Sequence, residues 1–156
     1  MELIAPADPA DIDELAAVAA RTFPLACPPS VTAEDMAAFI ADNLSAACFA
    51  EYLADPSRVV LVARHDDRIV GYAMLVGDEL SKMYVLPDHH GTGVATALMD
   101  AALKAAAESG RVWLGVNQNN QRAQRFYTKH GFTVNGTRTF RVGAGVEHDY
   151  VMVREL

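Results

Sequence analysis

The chain has 156 residues, 51% hydrophobic and 21% charged, a balance that suits one domain, residues 1–156, with an ordinary apolar core. A formal net charge of −7 argues against a nucleic-acid surface, and no apolar run reaches the roughly 18 residues of a membrane span. Cys27 and Cys48 are too few and too ill-spaced for a zinc site or a disulfide framework.

Residues 1–6 read as a short first strand, with neither the basic segment nor the apolar stretch of a secretory signal, so a cytoplasmic protein is expected. Ile12, Leu15, Val18 and Ala19 then recur at helical spacing, with Asp8 as N-cap and Pro9 at the first helical position. The proline-bearing stretch 24–29 is expected to break that helix. A second helix starts after Thr32, and a further helical piece ends near Pro56. The period then switches from helical to alternating. Residues 58–65 and 68–76, joined at Asp66-Asp67, read as a β-hairpin, and 79–87 as a third strand of the run. A long helix over 91–109 carries Val94, Leu98, Ala101, Ala102 and Ala105 along one side and stops at Gly110. Residues 111–116 make another strand, and 119–130 a helix closed by Gly131. A final hairpin turns at Gly143-Ala144-Gly145. This order predicts an α/β (α+β) chain, a mixed sheet with helices packed on it.

Charge is unevenly spread. Residues 1–57 hold ten Asp and Glu, with Arg21 as their only Lys or Arg. Such a surface suits a cationic partner rather than a phosphate backbone; an acidic, solvated helical face is the alternative.

The stretch after the third strand of the run, Leu86-Pro87-Asp88-His89-His90-Gly91-Thr92-Gly93-Val94-Ala95-Thr96, joins a strand to a helix through two glycines. The free amides of a helix start and the helix dipole favour an anion there, pyrophosphate above all; a purely structural turn is the alternative. A Walker loop needs a lysine that is missing here. A dinucleotide loop needs a third glycine where Thr96 stands, and an acid about 20 residues on. His89 and His90 are adjacent, so their side chains diverge, and no third ligand is near; no metal site is expected.

Two motifs decide between these readings. One is His90-Gly91-Thr92-Gly93-Val94-Ala95 on the strand–loop–helix. The other is Asn120-x-x-Ala123-x-x-Phe126-Tyr127-x-Lys129-x-Gly131-Phe132. Together they resemble the GNAT acyl-CoA N-acyltransferases along nearly the whole chain, with His90 standing where that family has Gln or Arg. The resemblance implies a GNAT fold, a mixed six- or seven-stranded central sheet flanked by helices, and acetyl-CoA as co-substrate. It implies that the amides of Gly91, Thr92, Gly93, Val94, Ala95 and Thr96 hold the pyrophosphate. Met83, Tyr84 and Val85 would pair with the pantetheine arm as if with a strand, and an N–H near Val85 would face the oxyanion. Asn120 would bond that arm or cap its helix.

Tyr127 is the implied general acid. A phenol, with a pKa of about 10 against about 8.5 for a thiol, can pass a proton to the departing thiolate. Glu79 occupies the place of a base used by several members; a surface carboxylate is the alternative. Other members carry a glutamate where Gly115 stands here, and Gly115 cannot take a proton, while Asn117 can order a water.

The tail narrows the resemblance to bacterial spermidine/spermine N-acetyltransferases of the Pai type. It carries Trp113-Leu114-Gly115-Val116, then Gly136-x-Arg138-x-Phe140 with Gly143, and Asp149-x-x-Met152. A small cationic, polyamine-like amine is therefore the expected acceptor. A protein N-terminus, an antibiotic amine, or a non-catalytic acyl-CoA-binding module are the alternatives. His148 and Asp149 would line the acceptor mouth or lie on a solvated edge. A homodimer is implied by analogy with the family.

Overall fold

The computed structural model describes residues 2–143 and 145–156, without the side chains of Glu2 and Phe140. The turn expected at Gly143-Ala144-Gly145 depends on Ala144, which lies outside the described residues. Seven strands form one sheet: β1 (Glu2–Pro6), β2 (Arg58–His65), β3 (Arg68–Val76), β4 (Glu79–Val85), β5 (Arg111–Asn117), β6 (Thr133–Val142) and β7 (Gly145–Glu155), in the order β1-β2-β3-β4-β5-β7-β6. All neighbours are antiparallel except β4 and β5. The β2–β3 turn places Asp66 and Asp67 at φ of 52° and 65°, the doubly left-handed geometry that matches the twist of a hairpin.

Helices α1 (Ile12–Ala26), α2 (Ala33–Asn43) and α3 (Ala46–Ala54) cover one face. There Leu15, Phe23, Leu44 and Phe49 pack on Tyr72 and Met74 of β3. Helices α4 (Val94–Ala105) and α5 (Gln121–Lys129) cover the other. There Leu98, Met99 and Phe132 meet Ala73, Leu75 and Leu114. The expected caps form: Asp8 accepts from the Ala10 amide at 2.8 Å and Thr32 from the Asp35 amide at 3.1 Å. Among the described residues no helix is long and apolar enough to cross a membrane.

Helix α1 runs through Pro24 and ends at Ala26, inside the stretch 24–29 expected to break it. Pro24 removes one amide donor, yet Leu15, Val18, Ala19 and Phe23 are all buried, and that packing outweighs a single lost hydrogen bond. Helix α4 starts at Val94, not residue 91, because Gly91 and Gly93 have φ of 76° and 93° and cannot be helical. Strand β7 is not an edge; it lies between β5 and β6, so Asp149 is buried while His148 remains exposed.

Candidate active site

Strands β4 and β5 touch at one end only. Their one registered pair is Glu79 with Trp113. There the Trp113 amide donates to the Asp78 carbonyl at 3.0 Å, and its indole N–H to the Asp78 carboxylate at 3.0 Å. Beyond this pair the strands part, and the gap opens into a cavity of about 560 Å³.

On the β4 side of the gap, the ladder to β3 decides which groups are free. The Leu86 amide bonds the Val70 carbonyl at 2.8 Å, and Tyr84 and Lys82 oppose Tyr72 and Met74 in the same alternation. Met83 and Val85 therefore turn their backbone N–H and C=O away from β3, towards the gap. The Val85 carbonyl faces the His90 ring, with Nε2 at 2.8 Å. His90, which by sequence only marks a departure from the family pattern, thus tethers the strand end to the loop that follows it. Side chains divide by face: Met83 packs with the α4 layer, and Tyr84 with the α1–α3 layer, its ring 5.8 Å from that of Tyr72.

The loop itself is exposed at Gly91, Thr92, Gly93 and Thr96, half-buried at Ala95, and anchored by the buried Val94. The Thr92 hydroxyl donates to the His89 carbonyl at 2.5 Å, and the Ala97 amide to Gly93 at 3.0 Å. Gly93 is the N-cap of α4 and offers no side chain to its first amides, which have no carbonyl of their own helix to bond. A cradle of outward N–H groups results, with the positive end of the α4 dipole behind it. A β-carbon on Gly91 or Gly93 would meet nothing within 4 Å, so the glycines serve the left-handed backbone rather than space. His130 flanks this loop, its Nε2 3.5 Å from the Thr96 hydroxyl, and burial lowers its pKa.

Across the gap, Asn120 caps α5 by accepting from the Ala123 amide at 3.1 Å; among the described residues its side-chain NH2 has no partner. Two turns later Tyr127 lines the cavity, wedged between Phe126 and Phe132 at ring distances of 5.6 and 5.9 Å. Burial pushes its phenol up to about 12, so it stays protonated and able to donate. Tyr84, raised further by burial and by the nearby Tyr127, is likewise a neutral phenol.

Glu79 lines the same cavity but is not free. Its carboxylate accepts from Arg138 at 3.4 Å, while the same guanidinium donates to Asp149 at 3.2 Å and lies 5.6 Å from the centre of the Trp113 ring. Arg138 reaches from edge strand β6 across Gly115, where a β-carbon would come within 2.3 Å of its Nη2. Gly115 is thus the space that lets an arginine bridge the parting strands. Burial raises the Asp149 carboxyl, and the Arg138 bond works against that rise. Sequence reasoning placed Arg138 in a tail motif without a role; its signal lay in the glycine opposite.

The cavity's acids are Glu79, Glu147 and Asp149, not those of residues 1–57. Helices α1 and α2 and the connections that follow them line it instead with groups such as Phe23, Cys27, Phe39 and Leu44. The acidic N-terminal surface expected to suit a cationic partner does not line the cavity; its carboxylates lie elsewhere, Glu14 for one accepting from the Ile69 amide. Glu147 is held by Ser30 at 3.1 Å and Asn117 at 3.4 Å. Among the described residues no three His, Cys, Asp or Glu gather as metal ligands.

The sequence model of the acetyltransferase (GNAT) family matches residues 19–132. An uncharacterized N-acetyltransferase of Mycobacterium tuberculosis, Rv2669, is 69% identical over 153 residues, 94% of this chain and 98% of that protein. The peptidyl-lysine N-acetyltransferase YjaB of Escherichia coli is 37% identical over 70 residues, 45% of this chain and 46% of YjaB. Among solved structures, the PaiA N-acetyltransferase of Thermoplasma acidophilum, in complex with coenzyme A, superposes with a TM-score of 0.86 over 100% of this chain and 99% of that one, at 20% identity. With its family model spanning most of the chain and a relative so similar end to end, this protein belongs to the GNAT family of N-acetyltransferases.

Proposed function

We propose that the enzyme moves the acetyl group of acetyl-CoA to a primary amine of a small cationic, polyamine-like acceptor, by direct attack within a ternary complex. The observation that carries this reading is the parted β4–β5 gap, with an amide cradle beside it and a carboxylate-bearing cavity along it. The cradle from Gly91 to Thr96 suits a pyrophosphate. The strand edge at Met83 and Val85, turned away from β3 and with the Asn120 amide opposite, suits an extended arm rich in amide groups. Tyr127, a neutral phenol, suits protonation of the leaving thiolate. Glu79 suits acceptance of the amine's proton through a water. The acceptor ammonium is drawn by Glu147 and Asp149 beside it rather than by the N-terminal helices.

The backbone of the cradle provides a first check. Gly93→Val forces a β-branched residue to φ near 93°, a strain of about 1–3 kcal/mol, and is expected to weaken acetyl-CoA binding about tenfold in calorimetry. Unchanged affinity would remove the cradle from the site.

A broad amine panel with detection of free CoA thiol, run at two pH values, tests the acceptor. Polyamines turned over with the highest kcat/KM support the reading. The similarity to YjaB favours one second reading, a lysine side chain in a peptide, itself a short alkyl amine; preference for lysine peptides over polyamines would replace the first reading with the second. Thiol release with no amine of the panel would remove both.

A further inference from the structure

The chain has three lysines, and they occupy very different places. Lys104 and Lys129 stand exposed in the last turns of α4 and α5. Lys82 lines the central cavity from within β4. Its position follows from a break in the β3–β4 register: Leu75 opposes Leu80 and Met74 opposes Lys82, so Ser81 is the extra residue of a bulge. Lys82 comes directly after that bulge, on the strand face it shares with Tyr84, towards the cavity walls of α1 and α2. Its neighbour Met83 presents its backbone to the gap.

Lys82 is half-buried, and an ammonium drawn that far from water usually has a partner. Among the described residues Lys82 makes no hydrogen bond and no ion pair, although Glu79 on its own strand attracts it and Arg58 repels it. Burial lowers its pKa, so a larger share of this amine is neutral than on the surface. An amine with those properties, in the cavity of an enzyme that acetylates amines, is placed as a substrate.

We propose that Lys82 is a self-acetylation site, its Nζ accepting an acetyl group from acetyl-CoA bound in the same molecule. The Nζ lone pair attacks the thioester carbonyl carbon. The N–C bond forms, the C–S bond breaks, and the proton lost from nitrogen ends on the CoA sulfur, delivered through Tyr127. The products are Nε-acetyl-lysine and CoA thiol, with no further reactant. The modification deletes a positive charge from a cavity that also holds Glu79, Glu147 and Asp149. The proposal rests on acetyl-CoA as donor and is independent of which free amine is the acceptor.

The test is incubation of the whole protein with isotopically labelled acetyl-CoA and no acceptor, followed by peptide mapping of all three lysines. A thermal-shift measurement with acetyl-CoA runs alongside. Lys82 is expected to take label at least about tenfold faster than Lys104 or Lys129, from the proximity of donor and amine in one site. Its labelling should saturate with acetyl-CoA, be suppressed by excess CoA, slow in Tyr127→Phe and vanish in Lys82→Arg. Unlabelled acetyl found on Lys82 alone in the purified protein would count for the proposal too. Equal labelling of the three lysines, or labelling that CoA does not suppress, would identify solution chemistry and overturn it. A thermal shift with no label on Lys82 would overturn it while leaving the donor assignment intact. No thermal shift and no label would overturn both.

Discussion

Under the proposed role of Tyr127, replacing it with phenylalanine lowers kcat by about 10²–10³-fold while the KM for acetyl-CoA changes little, because the lost hydroxyl would serve the leaving sulfur and not the bound ground state. The ring still fills its place between Phe126 and Phe132, so stability should not explain the loss. The pH profile carries the sharper signature. A general acid fails as pH rises through its own pKa. Burial moves that point for Tyr127 from about 10 up to about 12. The rate should therefore climb with pH as the acceptor amine loses its proton, with no falling limb below about pH 10. A limb near pH 8, unchanged in Tyr127→Phe, would assign the acid to another group.

The second large effect is expected at Arg138. Arg138→Met leaves the buried Asp149 carboxylate without its counter-charge and frees Glu79 from a shared guanidinium. Breaking a fully buried pair costs about 3–5 kcal/mol, and the partial exposure of the Arg138 side chain reduces this to about 1–3 kcal/mol. The sign of the pH dependence follows from Asp149, whose carboxyl is already raised in the folded protein. A raised carboxyl favours folding most when protonated, and this advantage is lost as pH rises through its folded pKa. The penalty of Arg138→Met should thus be larger at pH 8 than at pH 5, read as the difference in Tm from the wild type. Gly115→Ala should reproduce part of the effect without touching the charges, by pushing the guanidinium aside. An equal Tm loss at both pH values would mean that Arg138 contributes packing rather than charge.

What could be read in the sequence was whatever is local. The caps at Asp8 and Thr32, the Asp66-Asp67 hairpin and the two glycines before α4 each declare themselves within a few residues. Both motifs carried the family and its fold. Pro24 marks the end of helix α1 only to within a turn, because its cost is local, whereas Phe23 beside it is held from a distance, its ring stacked 4.5 Å from Phe39 on α2. The Arg138 bridge was hidden for the same reason. Its partners lie 59 and 11 residues away, and they meet only because the chain orders its last strands β5-β7-β6. That swap also took Asp149 from an apparent edge into the interior. An unusual glycine at position 115 was visible from the start, but sequence alone shows an absent side chain, not whose side chain fills the room.

The single contact between β4 and β5 has a mechanical consequence. Four strands stand on one side of it and three on the other, joined across the sheet by Asp78, Glu79 and Trp113 with Arg138 laid over the seam. The sheet is less a plate than a pair of jaws with its fulcrum at Trp113. Exposed β edges usually invite strands from other chains. Here a bound co-substrate arm would occupy the invitation, so the same opening that admits the substrate is closed against aggregation whenever the enzyme is loaded. The molecule keeps one seam of its sheet unfinished, and in the proposed reading its ligand would complete it.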